Sequence, residues 1–149
     1  MPTPSVESCI AQLLRDTASV TALVGARVHI ANRPQGDSLP SVVVRMTDYG
    51  DDPDLDNGET YIEPRIAVDC YAASYNDAYL LDQAVRAALT PHTGEVECLD
   101  TDNVTTYGTR EIDAIVPEDT TTDDQAPSDS SDQRTYSRST LFYVLASKT

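Results

Sequence analysis

A chain of 149 residues with 40% hydrophobic content is the size of one ordinary domain, which excludes a mini-scaffold dependent on disulfide or metal staples. The formal net charge of −15, with no basic patch and interleaved aromatics to offset it, excludes a grip on nucleic acid. The opening MPTPSVES has neither a basic n-region nor an apolar h-region, and no apolar run approaches the ~20 residues that span a bilayer, so the expectation is a soluble product made in the cytoplasm.

The acidity has an unusual make-up. Asp greatly outnumbers Glu, and Lys148 is the only lysine. Such a surface repels itself in dilute buffer, whereas in molar salt the Debye length is about 3 Å and the repulsion fades. The balance reads as adaptation to a very salty cytoplasm, with an archaeal halophile as host; the alternative is an ordinary acidic protein of a mesophile. Cys9, Cys70 and Cys98 are odd in number and show no CxxC spacing. Cys9 on a helix face and Cys70 in an apolar alternation read as small buried hydrophobes, with no disulfide framework and no zinc site.

In chain order, Thr3 followed by Pro4 predicts a helix start. Val6, Ile10, Leu13 and Leu14 then recur on one helical face. Asp16 is the expected cap of a second short helix through Leu23 and Val24, stopped by Gly25. Arg27 to Ala31 reads as a strand, 32–37 as a turn, and the run from Val42 to about Tyr49 as a second strand. An acidic tip follows at about 50–59, with the tight-turn pair Asn57-Gly58. The chain then returns as a long strand from Thr60 to Ala72. Ile66, Val68 and Cys70 point one way along it and Arg65, Ala67, Asp69 and Tyr71 the other, with Pro64 marking a bulge or an edge.

Ser74 caps the clearest helix, which runs to about Leu89 with Ala78, Leu81, Val85, Ala88 and Leu89 as its apolar stripe. Val96 to Leu99 and Ile112 to Val116 read as strands. A run of Asp, Thr, Ser and Pro at about 117–133 lacks apolar anchors and reads as a mobile acidic loop. The last strand, Arg134 to Ala146, is apolar on both faces over Leu141–Leu145, as an interior strand is. The expected fold class is α+β: an antiparallel or mixed β-sheet with helices packed on one face, in a single domain over 1–149.

Catalytic motifs are missing. His29 and His92 stand apart with no nucleophile-and-base pattern, and the sequence holds no GxSxG, HExxH, Walker loop or GxGxxG. No cofactor is expected. In the acidic tip Asp52, Asp54 and Asp56 alternate, and Glu63 falls at the twelfth position of an EF-hand-like loop. Asn57 replaces the required Gly and strands replace the flanking helices, so loose calcium or magnesium binding stands beside the simpler reading of a solvated tip. Tyr49, Leu55, Tyr61 and Ile62 give the hairpin more apolar surface than a solvated loop needs, which marks it as a contact arm.

Three ordered segments carry a resemblance. The first is Leu23-Val24-Gly25-Ala26-Arg27-Val28 with Pro34-Gln35-Gly36 and Leu39-Pro40-Ser41-Val42-Val43. The second is Ile66 through Ala72 with Ser74-Tyr75, Ala78 and Val85-Arg86-Ala87-Ala88-Leu89. The third is the final strand with Tyr136, Arg138, Ser139 and Leu141-Phe142. Together the sequence resembles the tail completion, or tail terminator, proteins of tailed viruses. The resemblance implies a non-enzymatic virion subunit that forms a ring, usually sixfold, on the head-proximal end of the tail tube. The tube protein would lie below it and the neck or head-closure protein above, with DNA passing through the lumen. Another neck or tube ring protein is the alternative within that class. A cytosolic calcium-binding or regulatory module is the alternative outside it.

Overall fold

The computed structural model describes residues 3–33, 38–49, 61–99, 106–125 and 135–147. The first helix, α1 (Val6–Arg15), starts later than expected: Ser5, not Thr3, is its N-cap, and the Ser5 hydroxyl accepts the Ser8 N–H at 3.2 Å. Pro4 lies outside the helix because its carbonyl accepts Arg110 Nη1 at 2.8 Å, which ties it to a distant strand. The second helix, α2 (Ala18–Val24), is capped by Thr17 in place of Asp16. Asp16 instead closes α1 and accepts from Gln12 Nε2 at 2.9 Å, while the Thr17 hydroxyl donates to the Leu13 carbonyl at 2.7 Å. Gly25 ends α2 at φ 60°, a conformation that favours a residue without Cβ.

Strands β1 (Val28–Ile30) and β2 (Ser41–Asp48) are parallel, and every other pairing in the sheet is antiparallel. β2 pairs with β4 (Arg65–Ala72), from Ser41 opposite Tyr71 to Met46 opposite Ile66, with a bulge before Asp48. The long strand expected from Thr60 is broken at Glu63-Pro64, leaving β3 (Tyr61–Ile62) as a separate piece. Proline has no N–H for the ladder, but its carbonyl accepts Val144 N–H at 3.0 Å, so the chain stays beside its neighbour.

Ser74 caps α3 (Tyr75–Leu89) by accepting the Asp77 N–H at 3.1 Å. Three strands complete the sheet: β5 (Gly94–Leu99), β6 (Thr106–Gln125) and β7 (Thr135–Ser147). The order is β1-β2-β4-β7-β6-β5, with β3 also pairing β7. The final strand is thus interior, as its doubly apolar run requires.

The expected loop at 117–133 is corrected over its first part. Pro117–Gln125 continues β6 and pairs with Thr135–Phe142 of β7. Polarity did not prevent pairing, because a ladder needs backbone groups and Thr120, Thr121 and Thr122 are β-branched. Residues 126–134 lie outside the described set.

The helices cover one sheet face. Val6, Cys9, Ile10 and Leu14 of α1 and Leu81, Val85 and Leu89 of α3 are buried against Val42, Val44, Ile66, Val68, Cys70, Phe142, Val144 and Ala146. Each such aliphatic or aromatic side chain contributes about 1.5–3 kcal/mol on burial. Together they fix which face of β7 looks inward.

Candidate interaction surface

The outward face of the sheet follows from register, since residues directly opposite each other share a face. Tyr143 of β7 lies between Arg65 of β4 and Val116 of β6. Leu141 pairs with Ala67, Leu145 with Ala114, and Ser147 with Tyr61. These positions alternate along β7 with the core residues Phe142, Val144 and Ala146, so they face away from the helices. Val116 is 50% exposed, Tyr49 47% and Tyr61 41%, while Leu141, Tyr143 and Leu145 are half-buried.

Charge frames this apolar row. Arg65 Nε meets Glu118 at 3.1 Å, its Nη1 meets Asp48 at 3.5 Å, and its guanidinium lies 5.9 Å from the centre of the Tyr143 ring. Such exposed pairs contribute only about 0–1 kcal/mol, and here they fix where the long Arg65 side chain lies. The charges of Asp113 and Glu111 push the Tyr61 phenol above its ordinary value. Glu111 itself is raised by the hydrogen bond and charge of Asp113. Acidic side chains therefore gather at this end of the face.

A second polar cluster holds the sheet to α3. Asp82 is wholly buried and accepts from Arg86 Nε at 3.0 Å, Arg138 Nε at 2.9 Å and Thr140 Oγ1 at 2.7 Å. Arg86 also donates to Thr120 in the extension of β6, and Arg138 lies 5.2 Å from the centre of the Tyr79 ring. Burying a carboxylate is costly, and two guanidinium partners with a hydroxyl offset that cost. The cluster is what ties the polar half of the β6–β7 ribbon to the helix layer.

The residues singled out in the sequence separate into distinct groups. Tyr49, just after β2, and Tyr61 in β3 are exposed at the root of the hairpin. Ile62 is 1% exposed, opposite Ala146, and its side chain belongs to the core. Glu63 is exposed at the β3–β4 break and lies beside Tyr143, whose phenol is raised by burial and then by a Glu63 hydrogen bond. Asp52, Asp54, Leu55 and Asp56 lie outside the described residues. Among the described residues, no group of three or more His, Cys, Asp or Glu is placed to hold a metal ion. His92 Nε2 lies 3.1 Å from the Gly94 carbonyl, across the turn from α3 into β5.

All three cysteines are buried and free, and Cys98 donates to Cys9 with the sulfurs 3.6 Å apart between β5 and α1. That contact, with burial, pushes the Cys9 thiol up. No helix among the described residues is long and apolar enough to cross a membrane.

Sequence reasoning missed Val116, Tyr143 and Leu145 as a surface. The signal was present in the Leu141–Leu145 run, apolar on both faces. An interior strand has two faces to cover, and here the helices cover one.

The architecture, three helices on one face of a mixed sheet, has a counterpart among solved structures. It matches a solved chain described as "Virion of native gene transfer agent (GTA) particle" with a TM-score of 0.63 and 16% identity, over 96% of this chain and 95% of that one. At that identity the match shows a shared fold. No curated protein matches the chain. The family "Tail completion protein gp17" matches residues 9–129, and the chain belongs to this family. It is a structural component of the virion tail and not an enzyme.

Proposed function

We propose that the chain is a tail terminator, several copies of which close a ring on the head-proximal end of the tail tube, stop tube growth and join the tube to the neck. A sixfold ring is the form the resemblance carries, with the tube protein below and the neck or head-closure protein above. The supporting observation is that exposed Tyr61 and Val116 share the helix-free face with half-buried Leu141, Tyr143 and Leu145 in a tail completion protein. Exposed apolar side chains gathered on one face are what an assembling subunit buries against its partners. Tyr49 and Tyr61 flank the acidic hairpin, so that arm contacts one neighbour while Ile62 anchors its root in the core. A net charge of −15 suits a lumen through which DNA slides without counterion-release binding. The same charge, with Lys148 as the only lysine, suits assembly in a very salty host, as in an archaeal halophile.

Light scattering and negative-stain imaging of the purified protein test this reading. A closed ring with a central hole is expected in molar salt. A monomer at every concentration, in dilute and molar salt alike, would overturn it.

A further inference from the structure

On the helix-free face, between the ends of β1 and β2 and the start of β7, lies an open cavity of about 380 Å³. Val43, Arg45, Asp69, Tyr71 and Arg33 line it. Asp69 is buried and already matched: Arg45 donates to its two oxygens, through Nε at 2.7 Å and Nη2 at 3.4 Å. Arg33 is not matched in this way. Its guanidinium lies 5.3 Å from the centre of the Tyr71 ring, and its Nη1 is buried with no hydrogen-bond partner. A buried cationic donor without an acceptor is costly, and a bound anion is one arrangement that removes the cost.

Among the described residues that line the cavity, two guanidinium groups face one carboxylate, an excess of one positive charge inside a chain of net charge −15. We propose that this cavity is an anion site that takes a single carboxylate group, with Arg33 as the group that recognises it. The planar guanidinium fork matches a carboxylate, and one carboxylate neutralises the site. A polyanion such as DNA is kept away by the surrounding acid. The volume falls within the range of small-ligand sites and admits a whole acidic side chain with the carbons that carry it.

The carboxylate has two possible sources: a free organic acid, or an Asp or Glu side chain of a second copy of this chain. The second source rests on the ring reading; the first does not. Neither belongs to the general surface row described above, which the cavity adjoins but does not share residues with.

Isothermal titration of the full chain with N-acetyl-aspartate amide, at ionic strength held constant with sodium chloride, tests the site. Saturable binding of one molecule per chain is expected, weakened tenfold or more in Arg33→Gln and unchanged in Arg15→Gln, at the end of α1 and outside the cavity. Circular dichroism checks that each variant is folded. Should Arg33→Gln not fold, the ring signals of Tyr71 in the unmodified protein, followed by NMR during the same titration, carry the test. Absence of saturable binding, equal binding by Arg33→Gln, or tighter binding of inorganic phosphate would each overturn the proposal.

Titrating rings and dispersed subunits separately distinguishes the sources. A free acid binds both alike. A neighbour's carboxylate leaves the site filled in the ring, so the amide binds dispersed subunits alone and shifts rings toward them. If no ring forms at all, the terminator reading fails while the titration still decides the site.

Discussion

At Asp82 a carboxylate with no exposed surface is held by Arg86, Arg138 and Thr140, so one side chain joins α3, β7 and, through Arg86, the Thr120 stretch of β6. Removing the carboxylate leaves half-buried Arg86 and Arg138 without their counter-charge and the buried Thr140 hydroxyl without its acceptor. Asp82→Ala is therefore expected to lower the unfolding free energy by about 3–5 kcal/mol in denaturant titrations. A loss no greater than that of an exposed surface substitution would contradict the account of the cluster. Cys70 poses a different constraint on the same core. It is wholly buried, and burial pushes its thiol well above the ordinary 9.0. Below the unfolded value both states keep the proton, and this contribution to stability is intact. Above it the unfolded chain releases the proton and the folded chain does not, so stability falls as pH rises. Denaturant titrations above about pH 9 should show that fall, with a shallower slope in Cys70→Val; equal slopes would show that Cys70 is not its cause.

Among the elements, the hairpin between β2 and β4 carries the clearest functional expectation. Replacing Asp51 to Asn57 by a short Asn-Gly turn is expected to leave the subunit folded, since Ile62 and the β2–β4 register lie outside the trimmed stretch. The same change should sharply lower the yield of tailed particles counted by electron microscopy, and a normal yield would remove the hairpin as a contact arm. The element plan was legible where side chains repeat on one face. The stripe of α3 and the doubly apolar Leu141–Leu145 have the packing their periods predict, and Ile66, Val68 and Cys70 of β4 enter the core, while Ala67 and Asp69 on its other face are buried as well. The polar end of β6 was not legible, because the β-branched Thr120–Thr122 are its one local strand signal and no apolar alternation accompanies them; its order comes from β7 opposite and from Arg65 and Arg86 reaching across to Glu118 and Thr120. The caps of α1 and α2 were misplaced by one or two residues for a similar reason. Arg110, far along the chain, holds the Pro4 carbonyl, and Gln12 takes Asp16. Of the residues expected to make contacts, Tyr49 and Tyr61 are exposed. Ile62 looked the same in sequence, and only its place opposite Ala146 assigns it to the core.

For the molecule as a whole, a charge of −15 with a single lysine makes the folded state work against its own field. Raising sodium chloride from dilute to molar should raise the thermal midpoint well beyond the few degrees common for less charged domains, through screening. Equal midpoints would remove the adaptation to salt. On the proposed reading, the helix-free face with exposed Tyr61 and Val116 is the apolar surface on which this strongly charged subunit assembles once salt has quieted the repulsion. The proposed role of this subunit is to end the tail tube and join it to the head. The measurement that tests it most directly is electron microscopy of particles made by a virus lacking this chain. Filled heads separate from tails, with tubes of irregular length, are the expected result, restored to joined particles when the chain is supplied in trans. Joined particles with tubes of normal length, formed without it, would contradict the account.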